Sequence, residues 1–388
     1  MNRPPLNRNL AGLGTTIFAE MSELAAVTGS VNLGQGFPDT DGPREIARAA
    51  ADAIMAGRGN QYPPGAGIPE LRRAIADHQT RFYGLAVDPD REVLVTAGAT
   101  EAIAAALLAL VEPGDEVIAF EPYYDSYAAC IAMAGGIRVP VTLRAPGFRP
   151  DLDALSAAVT GRTRLILLNS PHNPTGSVFT RAELTAIADI ACEHDLLVVS
   201  DEVYEHMVFD GEHVAVATLP GMRERTVSIS SAAKTFSFTG WKIGWVTGAP
   251  ELVSAVRTVK QFLTYVSGGP FQYAISEALG LPDEYYRSIP ADLSVKRDLM
   301  TRGLAEAGFD VYVPQGTYFI TTDIRPFGDT SGLEFCRKLP HVAGVVAIPS
   351  VVFYDHRDEG QFQVRFAFCK KEEVLMEALS RLRTLHPA

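Results

Sequence analysis

Between residues 93 and 245 the chain keeps returning to one pattern: a short apolar run, a turn of small or polar residues, then a helical stretch. The apolar runs fall at 93–96, 116–120, 138–143, 164–168, 196–200 and 226–229. Strands alternating with helices in this way predict an α/β fold, and open α/β sheets bind ligands at the carboxyl ends of their strands. The turns that follow the strands are therefore where function is sought.

The turn after the run 226–229 holds Ser231-Ala-Ala-Lys234 and, soon after, Gly-Trp-Lys242-Ile-Gly-Trp. Lys234 sits among Ala232, Ala233, Phe236 and Phe238 rather than among charges. Burial lowers an amine's pKa, and a desolvated amine is a nucleophile able to form a Schiff base with an aldehyde. Ser231-x-x-Lys234 also matches the S-x-x-K of penicillin-binding enzymes, but Lys234-Thr-Phe is not their K-T-G, so Ser231 as a nucleophile is a minor alternative.

Each of the other turns has a plain structural reading beside a functional one. Gly98-Ala99-Thr100 between a strand and a helix is an ordinary βα turn or a phosphate cradle of free N–H groups. Tyr123, in Glu121-Pro-Tyr-Tyr-Asp-Ser-Tyr127, is a packing residue or a ring that stacks on a heterocycle. Asn173, in Ser170-Pro-His-Asn-Pro-Thr-Gly176, belongs to a rigid polar loop, and its bond to Pro174 is a cis candidate. Asp201 and Tyr204 are a helix cap with its neighbour, or a carboxylate and a phenol sharing one crevice. Gly36, in Asn32-Leu-Gly-Gln-Gly-Phe-Pro38, is a turn glycine or a point of close ligand approach. Arg365, alone on the apolar run 364–368, needs an anionic partner, and a structural carboxylate is the plainer choice.

Taken together the parts fit one cofactor. Pyridoxal phosphate needs a lysine for its aldehyde, an acid for its ring nitrogen, donors for its ring hydroxyl, an aromatic face and a phosphate cup. Lys234, Asp201, Tyr204 with Asn173, Tyr123, and a cup of Gly98, Ala99, Thr100, Ser231 and Lys242 supply them.

Bulk properties agree. A net charge of −12 disfavours nucleic-acid or anionic-membrane partners. Four widely spaced cysteines suit reduced thiols in a cytoplasm, with neither a disulfide frame nor a metal site. Met-Asn-Arg-Pro-Pro at the start has no apolar core behind it, so no signal peptide is expected. The 388 residues suggest an arm at 1–43, a large cofactor-binding domain at 44–275 and a small α+β domain at 276–388.

The motifs named above, with Asn60-Gln-Tyr62, Asp201-Glu-Val-Tyr-Glu205 and Arg365-Phe-Ala-Phe-Cys369, resemble those of class I/II aminotransferases of the fold type I pyridoxal-phosphate enzymes. They run in family order across nearly the whole chain. The resemblance implies a mostly parallel seven-stranded sheet sandwiched by helices. It implies that Lys234 carries the cofactor, Asp201 pairs with its ring nitrogen, and Tyr204 and Asn173 bond its ring hydroxyl. Arg365 would clamp a substrate carboxylate, with Gly36 and Asn173 against the substrate; Phe18, Tyr123 and Phe353 are further candidates to line an apolar pocket for methionine, phenylalanine or kynurenine. Tyr62 would reach the phosphate in a neighbouring subunit, making the enzyme a homodimer. The reaction implied moves an amino group from an L-amino acid to a 2-oxo acid in a ping-pong cycle.

Among subgroups the chain resembles N-succinyldiaminopimelate aminotransferases of lysine biosynthesis and kynurenine/glutamine aminotransferases. Small residues at Ser267 and Gly268, where the kynurenine type has larger ones, favour the longer succinylated substrate. A broad-range enzyme acting on methionine, phenylalanine or kynurenine and a cysteine-conjugate C–S β-lyase are the alternatives. A non-catalytic cofactor-sensing regulator would need a basic DNA-binding segment, which the N-terminal stretch does not supply.

Overall fold

The computed structural model describes residues 6–10 and 16–387. The expected arm at 1–43 therefore lies partly outside the described residues, as does the opening pentapeptide.

Thirteen strands are described. β1 (Val31–Asn32) is short. β2 (Val93–Thr96), β3 (Glu116–Glu121), β4 (Ile137–Thr142), β5 (Thr163–Asn169), β6 (Leu197–Asp201), β7 (Thr226–Ser231) and β8 (Gly244–Gly248) form one sheet in the order β2-β8-β7-β6-β5-β3-β4. β8 runs antiparallel to both its neighbours, and the other pairs are parallel. The expected mostly parallel, seven-stranded sheet is present.

Its apolar runs are continuous because both faces are covered. In β3, Val117 and Ala119 point to one core while Ile118 and Phe120 point to the other. In β5, Leu165 and Leu167 face the first and Ile166 and Leu168 the second. Helices Gly98–Leu110, Asp125–Ala134 and Pro250–Leu263 cover one face, and Leu152–Ala158 and Arg181–Glu193 the other. Thr180 opens the helix Arg181–Glu193 with a capping box that includes Glu183. Beyond the β2 edge, helices Arg44–Met55, Pro69–Tyr83 and Gly269–Leu279 build a third core around Trp245.

After β8 the alternation stops. β9 (Asp310–Tyr312), β10 (Phe319–Asp323), β12 (Ile348–Pro349) and β13 (Gln363–Ala367) make an antiparallel sheet in the order β12-β13-β10-β9, and β11 (Val345–Val346) pairs in parallel with β1. Helices Ile17–Thr28, Asp283–Glu306, Gly332–Val342 and Glu372–Leu382 share its core.

Two expectations change. The turn at 97–100 is already the first turn of a helix that begins at Gly98. Prolines at 282 and 290 predict breaks in the helical stretch that ends near Ala307; Pro282 does precede a helix start, but Asp283–Glu306 runs through Pro290, because Tyr286 before it and Leu293, Met300 and Leu304 after it are all buried. Packing on both sides outweighs the one backbone bond a proline removes.

Candidate active site

The carboxyl ends of β5, β6 and β7, the first turn of Gly98–Leu110 and one face of β13 surround a cavity of about 340 Å³. Lys234 lies on its floor, in the four-residue helix Ala232–Thr235 directly after β7. Its Nζ is 5.6 Å from the ring centre of Tyr204 and 5.7 Å from that of Tyr318. Burial lowers its pKa, against the opposing pull of Cys369 and Asp201.

Asp201 ends β6 and is buried. The Tyr127 phenol donates to its Oδ2 at 2.6 Å and the Val203 N–H to its Oδ1 at 3.3 Å. Burial pushes the Asp201 pKa up to about 6, and these two hydrogen bonds restrain the rise. Asn169, at the end of β5, links this acid to the next loop. Its Nδ2 donates to the Asp201 carbonyl at 2.8 Å, and its Oδ1 accepts from the Asn173 N–H at 2.7 Å. The Asn173–Pro174 bond is cis, as expected.

Arg365 enters from the other sheet, on β13 between Thr321 and Ile348. It is almost fully buried. The plainer expectation of a structural carboxylate fails. Nη1 donates to Asn173 Oδ1 at 3.1 Å, Nη2 donates to the Gly34 carbonyl at 2.9 Å, and Nε has no partner among the described residues. Three rings take the place of a counter-ion: the guanidinium lies 4.0 Å from the centre of Phe319, 5.2 Å from Phe353 and 5.4 Å from Phe18. Burial lowers its pKa to about 10, so it remains a cation at neutral pH. A buried cation held by neutral acceptors is a site for an anion.

At the other end, Gly98 has φ +76°, and a Cβ there would lie 3.4 Å from Lys242 Nζ. The Lys242 ammonium thus overhangs the first turn of Gly98–Leu110, beside Ala99, Thr100, Ser231 and Thr239. Free N–H groups, hydroxyls and an ammonium at a helix N-terminus form a phosphate-type site. Lys242 itself holds a left-handed φ of 55°, unusual for a residue with a side chain.

Phe18, Gly36, Gly98, Ala99, Thr100, Asn173, Asp201, Tyr204, Ser231, Lys234, Lys242 and Arg365 all line this one cavity. Gly36 is there for a steric reason: a Cβ would come within 2.4 Å of the Phe319 ring, and its carbonyl accepts from the Tyr318 phenol at 2.6 Å.

Three residues fall elsewhere. Tyr123 does not line the cavity. Neighbours on an extended chain face opposite ways, so its ring turns toward Arg138, 5.4 Å away, while Tyr124 faces the cavity. Phe353 backs Arg365 and Phe18 from one layer behind. Tyr62 is 82% exposed, its ring against Tyr265, outside this chain's own cavity. Ser267 and Gly268 also lie outside it, so the room expected from them is not in this chain's own cavity. A Cβ on Gly268 would meet Ile243 at 2.3 Å.

Among the other lining residues, Tyr124, Tyr127, Gln35, Thr239 and Phe319 carry polar or aromatic groups and were not singled out from the sequence. The period-two rule would have offered Tyr124. Tyr127 is legible only once the helix is known to begin at Asp125, which turns the phenol back toward β6.

Comparison with known proteins agrees with this geometry. The family described as aminotransferase class I and II matches residues 28–382. A probable N-succinyldiaminopimelate aminotransferase of Mycobacterium tuberculosis is 53% identical over 96% of both chains. The solved N-succinyldiaminopimelate aminotransferase structure from that species superposes with a TM-score of 0.96 over 98% of this chain and 100% of the other. A methionine aminotransferase of Escherichia coli is 42% identical over 97% of both chains, and mouse kynurenine–oxoglutarate transaminase 3 is 38% identical over 95% of this chain and 87% of its own. With the family matched over residues 28–382, around a cavity that joins a buried amine to a buried anion site, the chain belongs to the class I and II aminotransferases and is an enzyme of the transferase class.

Proposed function

We propose that the cavity holds pyridoxal 5'-phosphate and that the enzyme passes an amino group from an L-amino acid to a 2-oxo acid in two half-reactions. The residues present fit that cofactor. A phosphate-type site at Gly98–Thr100 with Ser231 and Lys242, a buried acid at Asp201 and a desolvated amine at Lys234 share one cavity. The observation that carries the reading is Arg365, a buried cation whose Nε has no partner and whose guanidinium has no paired carboxylate among the described residues.

When bound, pyridoxal phosphate supplies an aldehyde for the amino nitrogen and a protonated ring that withdraws electrons from the substrate Cα. Lys234 anchors that aldehyde. When free of the cofactor, its neutral amine would take the proton from the substrate Cα and hand it to the former aldehyde carbon. Asp201 holds the ring-nitrogen proton, and Tyr127 keeps Asp201 an anion. Asn173 and Tyr204 orient the ring hydroxyl, and Tyr124 offers its face to the ring in the role expected of Tyr123. Arg365 grips the α-carboxylate of donor and acceptor alike, with Phe18 and Gly36 beside it and Phe353 behind. Tyr62, exposed with its ring against Tyr265, reaches the phosphate of a second copy in a homodimer.

For the substrate we favour N-succinyldiaminopimelate with 2-oxoglutarate or glutamate, in lysine biosynthesis. The support is the 53% identity to the mycobacterial relative over nearly the whole chain. Phe18, Phe37 and Phe319 on the wall favour a second reading, a broad-range enzyme for methionine or kynurenine. β-Elimination from cysteine conjugates uses the same residues and would show as pyruvate and ammonia released without an acceptor.

Four free cysteines, three of them buried, support a cytoplasmic setting, and no described helix is long and apolar enough to cross a membrane. We divide the chain as expected, with 44–275 as the cofactor-holding unit. Met21, Ala25 and Leu33 share a core with residues beyond 293, which supports joining 1–43 to 276–388.

The test is an absorbance spectrum of the purified protein, repeated with single amino donors. A visible band that Lys234→Ala loses is expected. No such band with added pyridoxal phosphate overturns the reading. Bleaching by N-succinyl-LL-diaminopimelate and glutamate supports the first substrate, and faster bleaching by methionine or kynurenine supports the second.

A further inference from the structure

Glu121 ends β3 and is the most completely satisfied buried acid near the cavity, yet it touches neither the cavity nor a cation of its own strand. Its two oxygens accept four hydrogen bonds. Thr142 Oγ1 donates at 2.7 Å from the neighbouring strand β4. The other three donors come from one short loop beyond β12: the Asp355 N–H at 2.6 Å, the His356 N–H at 3.2 Å and the His356 imidazole Nδ1. A carboxylate this dry costs several kcal/mol unless donors saturate it, and here they do.

The loop so held belongs to the four-stranded sheet, while Glu121 belongs to the seven-stranded one. Two further contacts close the same seam. The Tyr123 N–H donates to the Phe353 carbonyl at 3.0 Å, and Arg138 pairs with Asp355. The residue at the head of the loop is Phe353, 1% exposed, with its ring against both Phe18 and Arg365. A continuous path therefore runs from Glu121 through residues 355 and 356 to Phe353 and on to the guanidinium.

We propose that Glu121 is a positioning residue for carboxylate recognition: by fixing loop 353–356 it holds Phe353 against Arg365 and keeps that cation dry. Phe353 is one of three rings that exclude water from Arg365. A guanidinium in a low-dielectric setting binds a carboxylate more tightly than one that water reaches. Glu121 touches neither substrate nor cofactor and acts through Phe353. The inference rests on the proposed role of Arg365 as the carboxylate grip.

Glu121→Gln keeps the shape but turns an amide toward N–H donors, so the loop loses its anchor. The α-carboxylate is bound in ground and transition states alike, so the change appears in KM. In steady-state kinetics on the holoenzyme, KM for amino donor and oxo-acid acceptor both rise about tenfold while kcat changes less than about twofold. Thr142→Val, which removes one donor and keeps the volume, shifts KM the same way by about threefold and serves if the glutamine variant does not fold. A double-mutant cycle with Phe353→Leu separates this from a general loss of packing. If Glu121 works through Phe353, the two KM effects are strongly non-additive. Additive effects, an unchanged KM in a folded variant, or a fall in kcat alone overturn the proposal. Arg365→Gln is measured alongside. If it leaves KM unchanged, the carboxylate grip itself is wrong. If it raises KM and Glu121→Gln does not, only the positioning role fails.

Discussion

The phenol of Tyr127 donates to Asp201 Oδ2 at 2.6 Å, from a helix that follows one strand to an acid at the end of another. That bond sets the charge of the cavity's acid. Burial raises the Asp201 pKa to about 6, and the Tyr127 bond works against the rise. Tyr127→Phe removes the donor, so the Asp201 pKa climbs further. The ionised form is then lost at higher pH, and the acidic limb of pyridoxal-phosphate binding to the cofactor-free protein moves up by about one pH unit. A pH profile of the two enzymes checks this, and coincident limbs would sink it.

The same acid has a stability cost before cofactor binds. Its native pKa of about 6 stands above the ordinary 3.8, so the native state holds the proton more tightly than the unfolded chain. Stability of the cofactor-free protein therefore falls as pH rises from about 4 to about 6 and stays lower above. Asp201→Asn removes the titration and makes the cofactor-free protein more stable at pH 7 by up to about 3 kcal/mol, while cofactor binding is lost. Urea midpoints at acid and neutral pH read it out, and a variant no more stable at pH 7 contradicts it.

Adjacent tyrosines are predicted to behave differently. Tyr124 lines the cavity and Tyr123 does not. Tyr124→Leu weakens pyridoxal phosphate binding by about tenfold or more through the lost aromatic face. Tyr123→Phe leaves cofactor affinity as in the parent. Fluorescence or absorbance titration of the cofactor-free proteins decides, and the reverse ranking restores Tyr123 to the stacking role.

Oligomeric state tests the role given to Tyr62. Tyr62, Phe262 and Tyr265 are all exposed on this chain, at 82%, 82% and 51%. A second copy that covers them gives a dimer by sedimentation. Tyr62→Phe then lowers cofactor affinity about tenfold without dissociating the dimer. A monomer with full activity would rule the shared site out.

β2, β3, β5, β6 and β7 were legible because they are largely buried on both faces and read as apolar runs, whereas β8, Gly244–Gly248, lies outside every run read from the sequence. Lys234, Asp201, Asn173 and Lys242 were legible because each follows such a run, where a turn exposes side chains to one crevice. What stayed hidden was direction. Whether Tyr123 or Tyr124 faced inward depended on a single residue of register at the end of β3. Phe353 was named from its aromatic type, but its place behind Arg365 depends on a loop held by Glu121 across two sheets. No local pattern around Glu121 announces that contact. Pro290 misled for a related reason: a local rule gave way to buried faces on both sides of it.

Lys234 is carried by the seven-stranded sheet and Arg365 by the four-stranded one. In the proposed reaction a substrate must touch both, nitrogen at one and carboxylate at the other. The molecule then works as a caliper whose two jaws belong to separately built layers. A simple amine, with nothing to offer the second jaw, leaves the gap unmeasured, and an α-amino acid is recognised by the span it bridges before its side chain is read.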